Sequence, residues 1–275
     1  MMDRRLTPAN GHVAALHLKG QVEADVFTAG DPATIGQVVV DLCATPAGKR
    51  DRQLLMGMAV TVYDRRDGWA FVQSKRDGYV GYVRESALSV PTVTTHRIAT
   101  PATHAYATES FKAQDLLHLP FGAEVVVIDE RHKFFETPQG FIPKKHLRPI
   151  GQVFSDPATV AQLFFGVPYL WGGNSSRGID CSGLVQAAYH ACGHICPGDS
   201  DMQRDGLGAA LAEDAPLQRG DLIFWKGHVA MMVDGETMIH ANAHHMAVVY
   251  EGLVQATIRI KAQGDGDVLA RRRVL

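Results

Sequence analysis

Val167-Pro168-Tyr169-Leu170-Trp171-Gly172-Gly173-Asn174, followed by Gly178-Ile179-Asp180-Cys181-Ser182-Gly183-Leu184-Val185-Gln186, is the stretch that decides the reading of this chain. From Cys181 onward the apolar positions Leu184, Val185, Ala188 and Cys192 recur at helical spacing, and Gly193 suits a helix stop. Cys181 is therefore expected to open a helix. There its sulfur meets unpaired backbone N–H groups and the positive end of the helix dipole, which favours thiolate over thiol. The same amides, chiefly that of Cys181, suit an oxyanion formed on an attacked carbonyl. The bland alternative is a small buried residue at a helix start.

Two downstream histidines argue against the bland alternative. One follows Arg219-Gly220-Asp221-Leu222-Ile223-Phe224-Trp225-Lys226-Gly227 as His228, and the other sits in Met238-Ile239-His240-Ala241-Asn242. Asp234-Gly235 between them signals a turn, so the two segments are expected to pair as an antiparallel hairpin. A strict two-residue turn would put His228 and His240 on opposite faces. For the rings to act together the loop must hold an odd number of residues, such as Asp234-Gly235-Glu236, or the hairpin must carry a bulge. An imidazole can take a thiol proton and later return it to a leaving amine, and a third polar group need only orient that ring. His228 is assigned as base and His240 as orienter. The chain has 13 histidines, and His244, His245, His96, His104, His118, His132 and His146 are left as ordinary surface or core residues.

Upstream, Met58–Tyr63, Trp69–Gln73 and Tyr79–Val83 read as strands punctuated by Asp67-Gly68 and Asp77-Gly78. A weaker copy runs through Glu124–Ile128, Lys133–Thr137, Gly140–Pro143 and Leu147. The stretch before Gln37 is helix-like in pattern up to Gly30-Asp31-Pro32. Pro149-Ile150-Gly151 reads as a linker, after which helical and mixed patterns take over.

The tyrosine–tryptophan–glycine segment, the Asp180-Cys181-Ser182-Gly183-Leu184-Val185 core, the run before Gly227-His228-Val229 and Ile239-His240-Ala241 together closely resemble the NlpC/P60 cysteine peptidases, over about residues 152–260. That resemblance implies an α+β, papain-like catalytic domain at 151–275, with Cys181 as nucleophile, His228 as base and His240 as third polar residue. It also implies Tyr169 as an oxyanion or wall donor, with Trp171, Asp180 and Ser182 lining the groove. The upstream strand order resembles bacterial SH3-type barrels, read here as two, at 35–91 and 92–150, behind an extension at 1–34.

Two such modules on this catalytic domain resemble the γ-D-glutamyl-L-diamino acid endopeptidases that recycle murein peptides. The resemblance places Asp199 and Ser200 on the free amine of the substrate's N-terminal L-alanine; a helix cap is the alternative. From the first SH3-type block it implies a tyrosine, Tyr79 or Tyr82, and an acid, Asp51. Relatives often show Gly-Glu where this chain has Gly57-Met58. The expected substrate is a small murein peptide such as L-Ala-γ-D-Glu-meso-diaminopimelate.

Composition bounds the remaining possibilities. The 275 residues suit two or three compact domains, and a formal net charge of −2 provides no field to recruit nucleic acid or an anionic membrane. No apolar run approaches the roughly 20 residues that span a bilayer, and Pro8, Asn10 and Gly11 interrupt any secretory core. A cytoplasmic location follows as an expectation, with Cys43, Cys181, Cys192 and Cys196 as thiols. Cys192-Gly193-His194-Ile195-Cys196 falls short of a four-ligand zinc site, so no metal or cofactor is expected. The competing readings are another amidase or an acyl transferase on the same fold, and a non-catalytic wall-binding protein.

Overall fold

A computed structural model describes residues 2–274, which divide into two compact units meeting at Ile150 and Gly151. In the first unit a seven-stranded sheet runs in the order Arg50–Leu55, Val39–Cys43, Val80–Arg84, Trp69–Ser74, Ala59–Arg66, Asp31–Ile35, Leu88–Ser89. Alternation builds it: Val60, Val62, Ala70, Val72 and Val83 point inward and are at most 2% exposed. Asp67 and Gly68 both take positive φ, 51° and 75°, as a tight hairpin turn between twisted strands requires.

The region before Gln37 departs from its helix-like pattern. It forms strands Val13–Ala15 and Val26–Thr28 around a single 3-10 turn at Leu16–Leu18, and Asp31–Ile35 joins the seven-stranded sheet. The sheet thus begins inside what the sequence suggested was an extension. Short apolar runs broken by Gly20 and Gly30 cannot hold a helix of useful length, and pairing to Ala59–Val62 satisfies the backbone instead.

Residues 92–150 form a three-stranded and a five-stranded sheet around Ile98, Ala105, Leu119, Val125 and Ile142, all 2% exposed or less. Met56 of the preceding block completes that core. Next to it, Gly57 has φ of 84°, and a Cβ there would stand 2.4 Å from the Glu124 carbonyl oxygen. Of the three SH3-type candidates, Tyr79 is buried with the Arg52 guanidinium over its ring. Tyr82 accepts a hydrogen bond from Asn10, and Asp51 pairs with Arg4.

The second unit carries α1 (Pro157–Gln162), α2 (Cys181–Ala191), α3 (Ser200–Gly206) and α4 (Leu253–Ala262). Its antiparallel sheet has the order Ala209–Ala210, Ala270–Arg273, Leu222–Trp225, His228–Met232, Thr237–Asn242, Ala247–Gly252. α2 packs on α1 and on the two histidine-bearing strands. Ile223, Ala230, Met232, Met238, Ala256 and Ile260 make the core between the sheet and α4. Burying these side chains removes each from water at roughly 25 cal/mol per Å² of apolar surface, which fixes the register of the hairpin. Among the described residues no helix is long and apolar enough to cross a membrane, and all four cysteines are free and buried.

Candidate active site

Cys181 is the first residue of α2, as its spacing predicts. Asp180 caps the helix: one oxygen accepts from the Gly183 N–H at 2.6 Å and the Ser182 hydroxyl at 3.0 Å, the other from the Gly172 N–H at 2.9 Å. The cap ties the Trp171-Gly172-Gly173 turn to the helix start and so fixes where the sulfur projects. Asp180 and Ser182 are thereby engaged within the chain itself. The sulfur lies 4.0 Å from the Gly227 carbonyl oxygen, and the Val229 N–H points at it. These two groups flank His228 in sequence, so the sulfur is braced against the strand that presents that imidazole.

The hairpin has the odd loop that joint action of the rings requires. Met232 pairs with Met238 and the Val233 N–H bonds to Thr237, which leaves Asp234-Gly235-Glu236 as the turn. Asp234 holds it by accepting from the N–H groups of Glu236 and Thr237 at 2.8 and 2.6 Å. His228 and His240 consequently share a face, with His228 Nε2 2.9 Å from His240 Nδ1.

The ring of His240 is fully buried, and its Nε2 lies 3.1 Å from Glu251 Oε2 and 3.0 Å from Asn242 Nδ2. Arg259 of α4 grips Glu251 through Nε at 2.9 Å and Nη2 at 2.7 Å. Sequence reasoning missed Asn242, Glu251 and Arg259. The available signal was parity: Glu251 pairs with Met238 and Val249 with His240, which places Glu251 on the His240 face.

Burial controls the proton affinities. It pushes the Cys181 thiol up to about 12, aided by the Asp180 carboxylate, against the pull of the Val229, Ser182 and Cys181 N–H groups. It pushes His228 down to about 3, with the positive charges of His240 and Arg259 adding to the effect. His240 falls to about 4, again chiefly through burial, with Glu251 opposing. Burial thus favours thiol and neutral imidazole and opposes the thiolate preference expected from the helix terminus.

A stability prediction follows. His228 and His240 bind protons more weakly folded than unfolded, so below pH 6.5 the unfolded chain takes up more protons. Stability is complete above that pH and falls as pH drops through it, by about 1.4 kcal/mol per pH unit for each imidazole. Thermal or urea unfolding at pH 7 and 5 should show this slope, and His240→Gln should remove about half of it. No loss of stability between the two pH values would mean that the folded rings take up protons as readily as the unfolded chain does.

A cavity of about 570 Å³ opens beside His228, with Tyr169, Trp171, Lys226, Asn242 and Arg259 on its wall. Trp171 is 70% exposed there, while burial and the neighbouring Cys181 raise the Tyr169 phenol above its ordinary range, keeping it a neutral donor. Asp199 precedes α3, and its side chain makes no capping bond. Gln203, fully buried, donates to the Ser182 carbonyl and to Pro197, which ties α3 and hence Asp199 and Ser200 to the first turn of α2. Asp199 and Ser200 are not on the wall of the cavity beside His228. Among the described residues, His240, His245 and Glu251 bring ligand-type atoms close enough for a metal ion. Both Glu251 oxygens already receive Arg259, whose charge opposes a cation there.

Residues 166–261 match the NlpC/P60 family, and residues 42–88 match the bacterial dipeptidyl-peptidase SH3 domain. The chain is similar to γ-D-glutamyl-L-lysine dipeptidyl-peptidases from two bacilli. With the Bacillus cereus protein it shares 28% identity over 246 residues, 73% of this chain and 69% of the relative. With the Bacillus subtilis protein it shares 29% over 216 residues, 69% and 71% of the two chains. A crystal structure of an NlpC/P60 family protein from Bacillus cereus superposes with a TM-score of 0.74 over 89% of this chain and 100% of that one, at 22% identity. The chain thus carries an NlpC/P60 family domain over residues 166–261, preceded by a bacterial SH3 domain at residues 42–88.

Proposed function

We propose that this chain is a cysteine endopeptidase that hydrolyses the γ-D-glutamyl–diamino acid bond of small murein peptides bearing a free N-terminal L-alanine. The observation that carries the reading is the Cys181 sulfur, set against the Gly227 carbonyl and the Val229 N–H, the two neighbours of His228, whose ring pairs with that of His240. In this mechanism the sulfur attacks the γ-carbonyl as its proton passes to His228. Because both groups start neutral, proton transfer accompanies attack rather than preceding it. The Cys181 N–H and the Tyr169 hydroxyl serve the oxyanion. Collapse breaks the C–N bond, His228 returns the proton to the leaving amine, and water then hydrolyses the thioester. His240 acts as orienter, and Trp171, Asp180 and Ser182 shape the groove around the acyl part.

Substrate choice is supported by the relatives, whose names specify γ-D-glutamyl-L-lysine. Asp199 and Ser200 are the groups proposed to hold the L-alanine amine, since a carboxylate pairs well with an ammonium and rejects uncharged ends. The block at 92–150 repeats the strand order of the first and is read as a second SH3-type barrel; the catalytic unit is read as papain-like. Peptide recycling in the cytoplasm belongs to the same reading.

Incubation with L-Ala-γ-D-Glu-meso-diaminopimelate, or with its lysine counterpart, should release the L-Ala-D-Glu dipeptide. Acetylating the tripeptide amine should lower kcat/KM by about 100-fold, on the scale of a lost charged pair. Equal cleavage of blocked and free peptide would remove Asp199 from the recognition scheme.

A further inference from the structure

We propose that Glu251, clamped by Arg259, is the positioning residue that fixes the tautomers of both imidazoles and leaves Nδ1 of His228 as the base. The proposal rests on the reading of Cys181 as nucleophile and deepens it.

The argument starts from the carboxylate. Its side chain is 14% exposed and that of Arg259 is 18% exposed, and the two meet through both guanidinium bonds. A third Arg259 bond, from Nη1 to Gln263 Oε1 at 2.8 Å, holds the guanidinium plane. Burial alone would raise the proton affinity of Glu251, but Arg259 brings it below its ordinary value, so the group is ionised. An ionised carboxylate only accepts hydrogen bonds. Its partner at 3.1 Å, His240 Nε2, must therefore carry the proton. A neutral imidazole has only one, so His240 Nδ1 is bare and accepts from His228 Nε2–H at 2.9 Å. His228 in turn has a bare Nδ1, the atom able to take a proton from the thiol.

Asn242 offers the opposite polarity. Its Oδ1 accepts the His245 backbone N–H at 2.8 Å, so the nitrogen Nδ2 is the atom left facing His240 Nε2 at 3.0 Å. An amide N–H donated there would need a lone pair on Nε2. That lone pair would also face the Glu251 carboxylate, and the displaced proton would end on His228 Nδ1, where it blocks the base. A charge-assisted bond is roughly twice as strong as a neutral one and removes the repulsion between lone pair and carboxylate, which outweighs setting the Asn242 amide N–H against His240 Nε2–H. Glu251 prevails over Asn242.

Multiple-bond ¹H–¹⁵N spectra of imidazole-labelled wild-type protein at pH 7 test this without substrate. The expected pattern is a protonated Nε2 and a bare Nδ1 in both His228 and His240; a protonated His228 Nδ1 would overturn the proposal. Glu251→Gln presents an amide that can turn and donate, so it should mix the tautomers and lower kcat at least about tenfold with KM little changed. Glu251→Asp, which keeps the charge, should recover part of the loss. Full kcat in Glu251→Gln beside a dead Cys181→Ala would sink only the role of Glu251. Full activity in Cys181→Ala would instead sink the nucleophile assignment, whatever the spectra show.

Discussion

Cys181→Ala should lower tripeptide cleavage by about 10,000-fold or more while the protein still folds. The two halves of this expectation have separate causes. Catalysis through a thioester has no substitute for the sulfur, so what remains is the modest acceleration that binding and oxyanion donors provide. Stability changes little because the side chain is small: it is 7% exposed, and deleting one sulfur atom costs about 1 kcal/mol. His228→Ala should lose a comparable factor, and the double variant little more, since the two groups act as one unit. A discontinuous assay for released dipeptide, with thermal unfolding as the control for folding, measures both halves. Additive losses in the double variant would show that the sulfur and imidazole work independently.

The second large effect concerns Gly183 and runs against the usual rule. Alanine in place of a helical glycine ordinarily stabilises by up to about 1 kcal/mol. At Gly183 a Cβ would stand 2.4 Å from Asn174 Oδ1 and 2.5 Å from the Gly173 carbonyl oxygen. The second of these is backbone inside the turn that Asp180 ties to the helix, so it cannot swing aside. Gly183→Ala should therefore destabilise the protein by about 3 kcal/mol, the scale of overpacking a filled interior. It should also cut kcat/KM by about 100-fold, because relief requires moving the first turn of α2 and the sulfur with it. Chemical denaturation and the dipeptide assay check the two numbers. A neutral or stabilising result would mean that the turn yields easily and does not fix the sulfur.

The sequence revealed the parts of the site that depend on local periodicity. The helix start at Cys181 was legible because Leu184, Val185, Ala188 and Cys192 recur at helical spacing and Gly193 suits a stop. The three-residue turn was legible as one of two ways to bring His228 and His240 to one face. What escaped depends on tertiary surroundings. The protonation state of Cys181 is set by burial in the folded unit, which helix position alone cannot supply. Glu251 sits in an unremarkable Tyr250-Glu251-Gly252 segment, and its meaning appears only when the neighbouring strand and Arg259 are placed beside it. That Asp180 ties the Gly172 N–H to the helix start, with Ser182 donating to it, depends on a turn eight residues upstream and was likewise not legible. The strands before Gln37 were illegible because short apolar runs are ambiguous until a partner strand exists to claim them.

The Asp234-Gly235-Glu236 turn is also the place where this region tolerates redesign. Burial of Met231, Met232, Met238 and Ile239 fixes which residues lie opposite each other, so amino acids added within the turn are looped out while both strands keep their pairing. Spacers grafted here for reporters or affinity handles should thus preserve function at odd and even lengths alike.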